Sequence, residues 1–288
     1  MFKFWFRPAS PEIKRGNTAK VRVQRYNPDV DAKPYMQEFV VPMTPETTLL
    51  DAIHYIKTEL DGSLAYRRSC RHAICGSCAM NINGSNDLVC HRSLAESLDQ
   101  TGTVTIGPLP YLPIIKDLVV DRSSFWAQYE RVKPWLVPPD GAPEKEFRVS
   151  PEEVAALHNA ETCIMCGACY SSCQVVAMNK EYIGPHALLK AFLRVIDPRD
   201  TIPGERLQEV AGGDGVYRCH TIFNCIDACP KGLNPTQAIE TLRKLVQRRL
   251  DVEDERKARL ARLHDPVGAS TLPVAEASVV AAGEPGKS

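Results

Sequence analysis

Two cysteine runs in this chain share one register. The stretch "CIMCGACYSSCQ" carries Cys163, Cys166, Cys169 and Cys173, and "RCHTIFNCIDACPKG" carries Cys219, Cys225 and Cys229. Laid on each other, 163 meets 219, 169 meets 225 and 173 meets 229. At the remaining position Cys166 meets Ile222. Two runs with seven thiols and one apolar substitution leave few architectures open.

The spacing Cys-x2-Cys-x2-Cys-x3-Cys is that of bacterial-type ferredoxins. There, three thiolates of one run hold one iron–sulfur cluster and the fourth reaches across to a second. On that pattern Cys163, Cys166 and Cys169 hold a [4Fe–4S] cluster completed by Cys229. Cys219 and Cys225, completed by Cys173, face a second cluster whose fourth corner falls at Ile222. Isoleucine has no lone pair to offer, so that corner loses its iron and the expected species is [3Fe–4S]. One thiolate fewer also means less negative charge and a higher reduction potential. Zinc is the alternative, but four-cysteine zinc sites pair two Cys-x2-Cys knuckles across a longer stretch. Two interleaved runs do not suit it.

The remaining four of the eleven cysteines are Cys70, Cys75, Cys78 and Cys90. The x4, x2 start is plant-type [2Fe–2S] spacing, and small residues (Gly76, Ser77, Ala79) let backbone N–H groups approach the sulfurs. A Rieske arrangement would need two histidines on one iron. His72 and His91 lie near, but four cysteines suffice, so both are expected to be peripheral. His54, His158 and His186 read as ordinary helix residues, and His264 lies near the tail. His220 adjoins a ligand of the odd cluster.

Residues 20–45 read as strands: "KVRVQRYN" alternates and "QEFVVPM" is a short apolar run. "TPETTLLDAIHYIKTEL" reads as a helix with Thr44 as N-cap and Pro45 at its first position. "GTVTIGPLP" reads as a closing strand. These elements make an α+β domain over 1–121. Residues 122–149, rich in proline, read as an extended linker with few internal contacts. From 150 the periodicity is helical, opening with a Ser150–Glu153 capping box and Pro151. The helical domain runs to 252, and 253–288 reads as a charged, then disordered tail.

Formal net charge is zero. No basic stripe with interleaved aromatics supports nucleic-acid binding. No apolar run approaches the ~18–20 residues of a membrane span. The start, "MFKFWFRPASPEIKRG", lacks an apolar core with a cleavage site.

With the cluster order fixed, the phrases "YRRSCR", "CGSCAMNING", "YRCHTI", "CPKGLNP" and "IDPRD" carry a resemblance over about 18–250. The chain resembles the iron–sulfur subunit of succinate dehydrogenase and its fumarate reductase relatives. The resemblance implies a β-grasp plant-type ferredoxin domain followed by a mostly α-helical bacterial-ferredoxin-like domain. It implies no dicarboxylate site on this subunit. The partners it implies are a flavoprotein with covalent FAD, one or two transmembrane anchors with or without haem, and a quinone. The chain would then sit on the cytoplasmic face of a bacterial inner membrane. Electrons would pass through [2Fe–2S], [4Fe–4S] and [3Fe–4S] to the quinone; the alternative is the same wire reversed in a quinol:fumarate reductase. By the same resemblance Gln174, Met178, His220 and Ile222 would line the quinone pocket. "CQVVAMNKEYIGP" departs from ubiquinone-reducing members: Gln174 and Val175 replace Pro-Ser, and Met178 falls where a tryptophan would be. That points to menaquinone, whereas His220 and Ile222 match the succinate dehydrogenases.

Overall fold

A computed structural model describes residues 18–141 and 145–248. The expectations for the first residues, His264 and the tail lie outside them.

The first half is built on β1 (Thr18–Arg25) and β2 (Tyr35–Pro42). They pair antiparallel, with Val21 opposite Phe39 and Val23 opposite Gln37. Alternation in β1 turns Ala19, Val21 and Val23 inward, as the two-residue period of a strand requires. Helix α1 (Leu49–Tyr55) follows and continues as a π-helical turn, Ile56–Leu60. Its Leu49, Ile53 and Ile56 are fully buried, each worth about 1.5–3 kcal/mol of transfer free energy.

The cap of α1 differs from expectation. Thr48, not Thr44, is the N-cap: its side chain accepts from the Asp51 amide, and Asp51 accepts from the Thr48 amide. Thr44 and Thr47 instead close a turn on each other, so Pro45 lies in that turn. The reason is local competition. "TLLD" completes a reciprocal capping box, and a backbone bond from Leu49 to Arg92 pins the helix start there.

The hairpin β3 (Ala79–Ile82) and β4 (Ser85–Leu88) comes next, then the short α2 (Leu94–Ser97) and β5 (Thr103–Gly107). The sheet order is β2-β1-β5-β3-β4. β1 and β5 are parallel and the other pairs antiparallel. This mixed sheet grasping α1 is the expected β-grasp fold. A small ribbon, β6 (Ile114–Lys116) and β7 (Val119–Val120), closes the module.

Residues 122–149 are not wholly the extended, sparsely contacted linker that the prolines suggested. They begin with α3 (Ser123–Arg131), whose Phe125 is fully buried, and continue through buried Val132. Arg206 then holds the chain down, donating to the carbonyls of Val132 and Trp135 at 2.9 Å each. Arg194 donates to the Pro134 carbonyl. Prolines removed donors here, but the carbonyls remained, and the buried Arg206 and half-buried Arg194 took them. After α3 the described residues of this segment form no further helix or strand, and 138–141 and 145–149 are mostly exposed.

The second module is helical. Its elements are α4 (Pro151–Glu161), α5 (Ala168–Ser171), α6 (Gln174–Met178), α7 (Gly184–Val195), α8 (Pro203–Val210), α9 (Asn224–Asp227) and α10 (Pro235–Arg248). The Ser150–Glu153 capping box of α4 is present, with Pro151 at its start. Helix α7 is buried along nearly its whole length and packs against α4, α8 and α10. The cysteine runs form the short helices α5 and α9 and the loops that join them.

Candidate functional site: three cysteine cages

The first cage is a loop. Arg71, Ala73 and Gly76 adopt left-handed backbone conformations (φ 65°, 60° and 71°), which for the two non-glycines costs roughly 1–2 kcal/mol each. The strain turns amides toward sulfur. Cys70 Sγ accepts from the N–H groups of His72 (3.5 Å), Ile74 (3.3 Å) and Cys75 (3.3 Å). Cys90 Sγ accepts from Ala73 at 3.3 Å. The amide of His72, then that of Ile74, draws the Cys70 thiol down to about 6. Cys78 and Cys90 stand at the ends of the β3–β4 hairpin and are buried. Burial, with Cys90 alongside, pushes Cys78 up to about 12. His72 and His91 are exposed.

In the helical module, Cys163, Cys166, Cys169 and Cys229 line one concavity. Cys173, Cys219 and Cys225 line another. The crossover read from the sequence is thus present in the geometry: each run sends its last cysteine to the other run's cage. The loops also repeat. Cys166 is flanked by left-handed Met165 (φ 54°) and Gly167 (φ 87°), and Ile222 by left-handed Thr221 (φ 56°) and Phe223 (φ 69°). Each loop leads straight into a four-residue helix, α5 or α9. Ile222 therefore occupies the backbone position of a cage cysteine.

Burial dominates the chemistry of both cages. It pushes Cys166 up to about 11 and Cys169 far above the usual thiol range. Cys173, Cys225 and Cys229 are raised for the same reason. Buried thiolates crowded together need a compensating cation, and metal binding supplies it as it displaces their protons. Amide N–H groups also reach the sulfurs, as from Leu233 to Cys229 at 3.3 Å. Such donors suit clusters that keep negative charge after their iron is bound. Among the described residues, no three His, Cys, Asp or Glu side chains converge as a single metal ion requires. The sulfurs ring a space instead. These residues fit iron–sulfur clusters.

The cages follow one another in space. A Cβ on Gly76 would lie 2.8 Å from Cys166 Cα and 2.9 Å from the Ile164 carbonyl. The first loop and the second cage therefore touch backbone to backbone. Asn86 on β4 ties the modules further, donating to the Ala168 carbonyl (3.2 Å) and to Ser172 Oγ (2.8 Å). The two later cages share α5, with Cys169 on it and Cys173 just beyond.

Of the four residues expected at a quinone pocket, Gln174, His220 and Ile222 line the third cage. Met178 does not: it lies at the far end of α6 and is 89% exposed. Three further residues gave no sequence signal. His186, expected as an ordinary helix residue, lines the second cage, stacks on Phe125 at 3.9 Å and bonds the Phe125 carbonyl through Nε2. Burial lowers it to about 3, so it is neutral. Tyr182 is buried against the third cage, and Arg122 lies against the second. Nothing in their local sequence marks them, because each meets its cage only through the tertiary fold.

A β-grasp module and a helical dicluster module with three contiguous cysteine cages define an iron–sulfur electron-transfer protein. Residues 20–127 match the family described as "2Fe-2S iron-sulfur cluster binding domain", and 159–233 match "4Fe-4S dicluster domain". The chain is 42% identical over 236 residues to the succinate dehydrogenase iron-sulfur subunit of Paracoccus denitrificans, covering 81% of this chain and 90% of that one. It is 43% identical over 234 residues to the mitochondrial succinate dehydrogenase [ubiquinone] iron-sulfur subunit 1 of rice, covering 80% and 82%. A chain of the Mycobacterium smegmatis Sdh1 complex in its apo form superposes with a TM-score of 0.73 at 28% identity, over 81% of this chain and 97% of that one. The chain belongs to the family of succinate dehydrogenase iron–sulfur subunits. It is an electron-transfer subunit of that enzyme, and membership of the complex implies a flavoprotein partner. The reversed reading as a fumarate reductase is not favoured, since both curated relatives are named for succinate dehydrogenase.

Proposed function

We propose that Cys70, Cys75, Cys78 and Cys90 hold [2Fe–2S], that Cys163, Cys166, Cys169 and Cys229 hold [4Fe–4S], and that Cys173, Cys219 and Cys225 hold [3Fe–4S]. The observation that carries this is the repeated loop, with Ile222 flanked by left-handed residues as Cys166 is. Bound clusters supply one-electron transfer. The chain's own residues fix their order, shield the later two, and offer amide donors to their sulfurs. In the complex this makes a wire from the FAD of the flavoprotein to a membrane quinone.

No helix among the described residues is long and apolar enough to cross a membrane. Attachment to the cytoplasmic face of a bacterial inner membrane would therefore go through one or two transmembrane anchor subunits, with or without haem. The third cage is the quinone-facing end in this reading: Ile222 and Phe223 beside it are 44% and 52% exposed, though both are large and apolar. Gln174, His220 and Ile222 would line the quinone site, with Met178 reaching it only from the rim. Menaquinone is the quinone proposed; extraction of ubiquinone alone from the purified complex would exclude it.

The test is low-temperature electron paramagnetic resonance of the complex, oxidised and then stepwise reduced, with iron and zinc counted on the same sample. The reading expects a near-isotropic oxidised signal lost on mild reduction. Ile222→Cys should then replace that signal with a [4Fe–4S] of lower potential and slow quinone reduction. An unaltered 3Fe signal in this variant would refute the assignment of the open corner.

A further inference from the structure

We propose that Arg122 is the fixed counter-charge of the second cage and holds its reduction potential up, a role that rests on the [4Fe–4S] reading above. Arg122 is the residue before α3. Its Nη2 donates to the Met165 carbonyl at 2.5 Å, on the loop that carries Cys166. A Cβ on Gly167 would come within 3.1 Å of that same nitrogen. The guanidinium reaches the loop because residue 167 has no side chain.

Among the described residues the guanidinium has no carboxylate partner. Its Nε is buried and donates to no acceptor among the described residues. Its Cζ lies 4.6 Å from the Phe125 ring centre and 5.4 Å from that of Trp126, contacts that suit a cation but do not neutralise one. The other charged groups that act on it are the sulfur positions of Cys166 and Cys169 and a second cation, Arg67. A partly buried guanidinium facing another cation is costly when unpaired. The negative charge that four thiolates and their cluster retain is the anion that this arrangement lacks.

The sign of the effect follows. Reduction adds one electron to a site that already carries excess negative charge. A fixed cation stabilises the more negative, reduced state further, and the gain is larger away from bulk water. Cluster potentials respond to net charge and hydrogen bonding in this way. Arg67 and Arg122 also share the space between Ser77, on the first loop, and Cys166. The charge therefore lies where the first and second cages meet, and it favours electron entry into the second.

The experiment compares Arg122→Gln and Arg122→Lys in the intact complex. All three clusters are titrated potentiometrically with paramagnetic resonance detection, and iron is counted per complex. The [4Fe–4S] midpoint should fall in Arg122→Gln by several times the shift of either other cluster, and Arg122→Lys should restore much of it. Full iron with an unmoved [4Fe–4S] midpoint in Arg122→Gln overturns the inference. So does an equal shift in both variants, which would assign the effect to packing. If Arg122→Gln loses the cluster and Arg122→Lys keeps it, charge is again the cause; loss in both is a packing effect and overturns it. A parent complex without a [4Fe–4S] signal would overturn the cage assignment instead.

Discussion

The loop side of the first cage and the second cage solve one problem in opposite ways. At the first, Cys70 sits in an outer loop whose amides point at its sulfur, and the thiol is acidic. At the second, Cys169 faces the cage from α5, and desolvation there makes its thiol a very weak acid. At Cys70 the loop stabilises negative charge before any metal arrives, while the buried Cys78 behind it is raised as the helical-cage thiols are. The helical cage makes negative charge unfavourable until a metal brings compensation. The first cage should therefore be locally built and locally lost, while the second is bound up with the stability of its module.

The sharpest test of that contrast replaces one ligand in each. Cys169→Ser should cost the second cage its cluster, roughly four irons per chain, and with it the assembly of the helical module. Cys70→Ser should lower [2Fe–2S] occupancy and leave the rest of the chain folded. Iron counts with circular dichroism would decide it, and equal unfolding in both variants would break the comparison.

Next in size is the enclosure itself. Arg206 and Asp200 are fully buried and 2.6 Å apart. Asp200 also accepts from the Val137 amide, and Arg206 holds the carbonyls of Val132 and Trp135. Breaking a buried pair from one side costs about 3–5 kcal/mol, so Arg206→Met should lower stability by about that much. The loss should appear as earlier release of the helical module's clusters on heating, with [2Fe–2S] released later. Simultaneous release of all three would mean that the modules melt as one.

Gly76→Ala addresses the seam between the two cages. Residue 76 has φ 71°, and an added Cβ would meet Cys166 Cα at 2.8 Å. The backbone must move on one side, which typically costs ~1–3 kcal/mol. The expected result is a modest fall in denaturation midpoint and slower electron transfer out of the first cluster. An unchanged rate in flash-reduction kinetics would show that the seam does not set it.

The ligand framework was legible because cysteine spacing reports cluster type almost directly. The register of 163–173 on 219–229 anticipated that each run's last cysteine lines the other run's cage and that Ile222 stands in the loop position of Cys166. Helices with strong start signals, such as the one opening at Ser150–Pro151, were legible for the same local reason. The site of the α1 cap was not, since two threonines four residues apart both looked suitable and a long-range bond to Arg92 favoured the second. The packed half of the apparent linker was hidden too. Proline density reports missing donors, while Arg194 and Arg206 supply bonds from 60 to 74 residues away. His186, Tyr182 and Arg122 were hidden for that same reason.

The smallest expected effect isolates the amide shell of the first cage. In the iron-free chain Cys70 should be largely thiolate at neutral pH, because its amide partners lower it from 9.0 to about 6. Thiolate, not thiol, reacts with alkylating agents. Labelling of Cys70 should therefore be fast at pH 7 and slow only as pH falls through about 6. Cys78, raised to about 12, should stay protected until strong alkali. Cys169, raised well above the ordinary thiol range by burial, should also resist labelling. Peptide mass spectrometry across a pH series would read the order directly. If Cys70 began to react only near the ordinary thiol range, the amides would not be holding charge on their own. The preformed character of the first cage, and with it the contrast with the second, would then be lost.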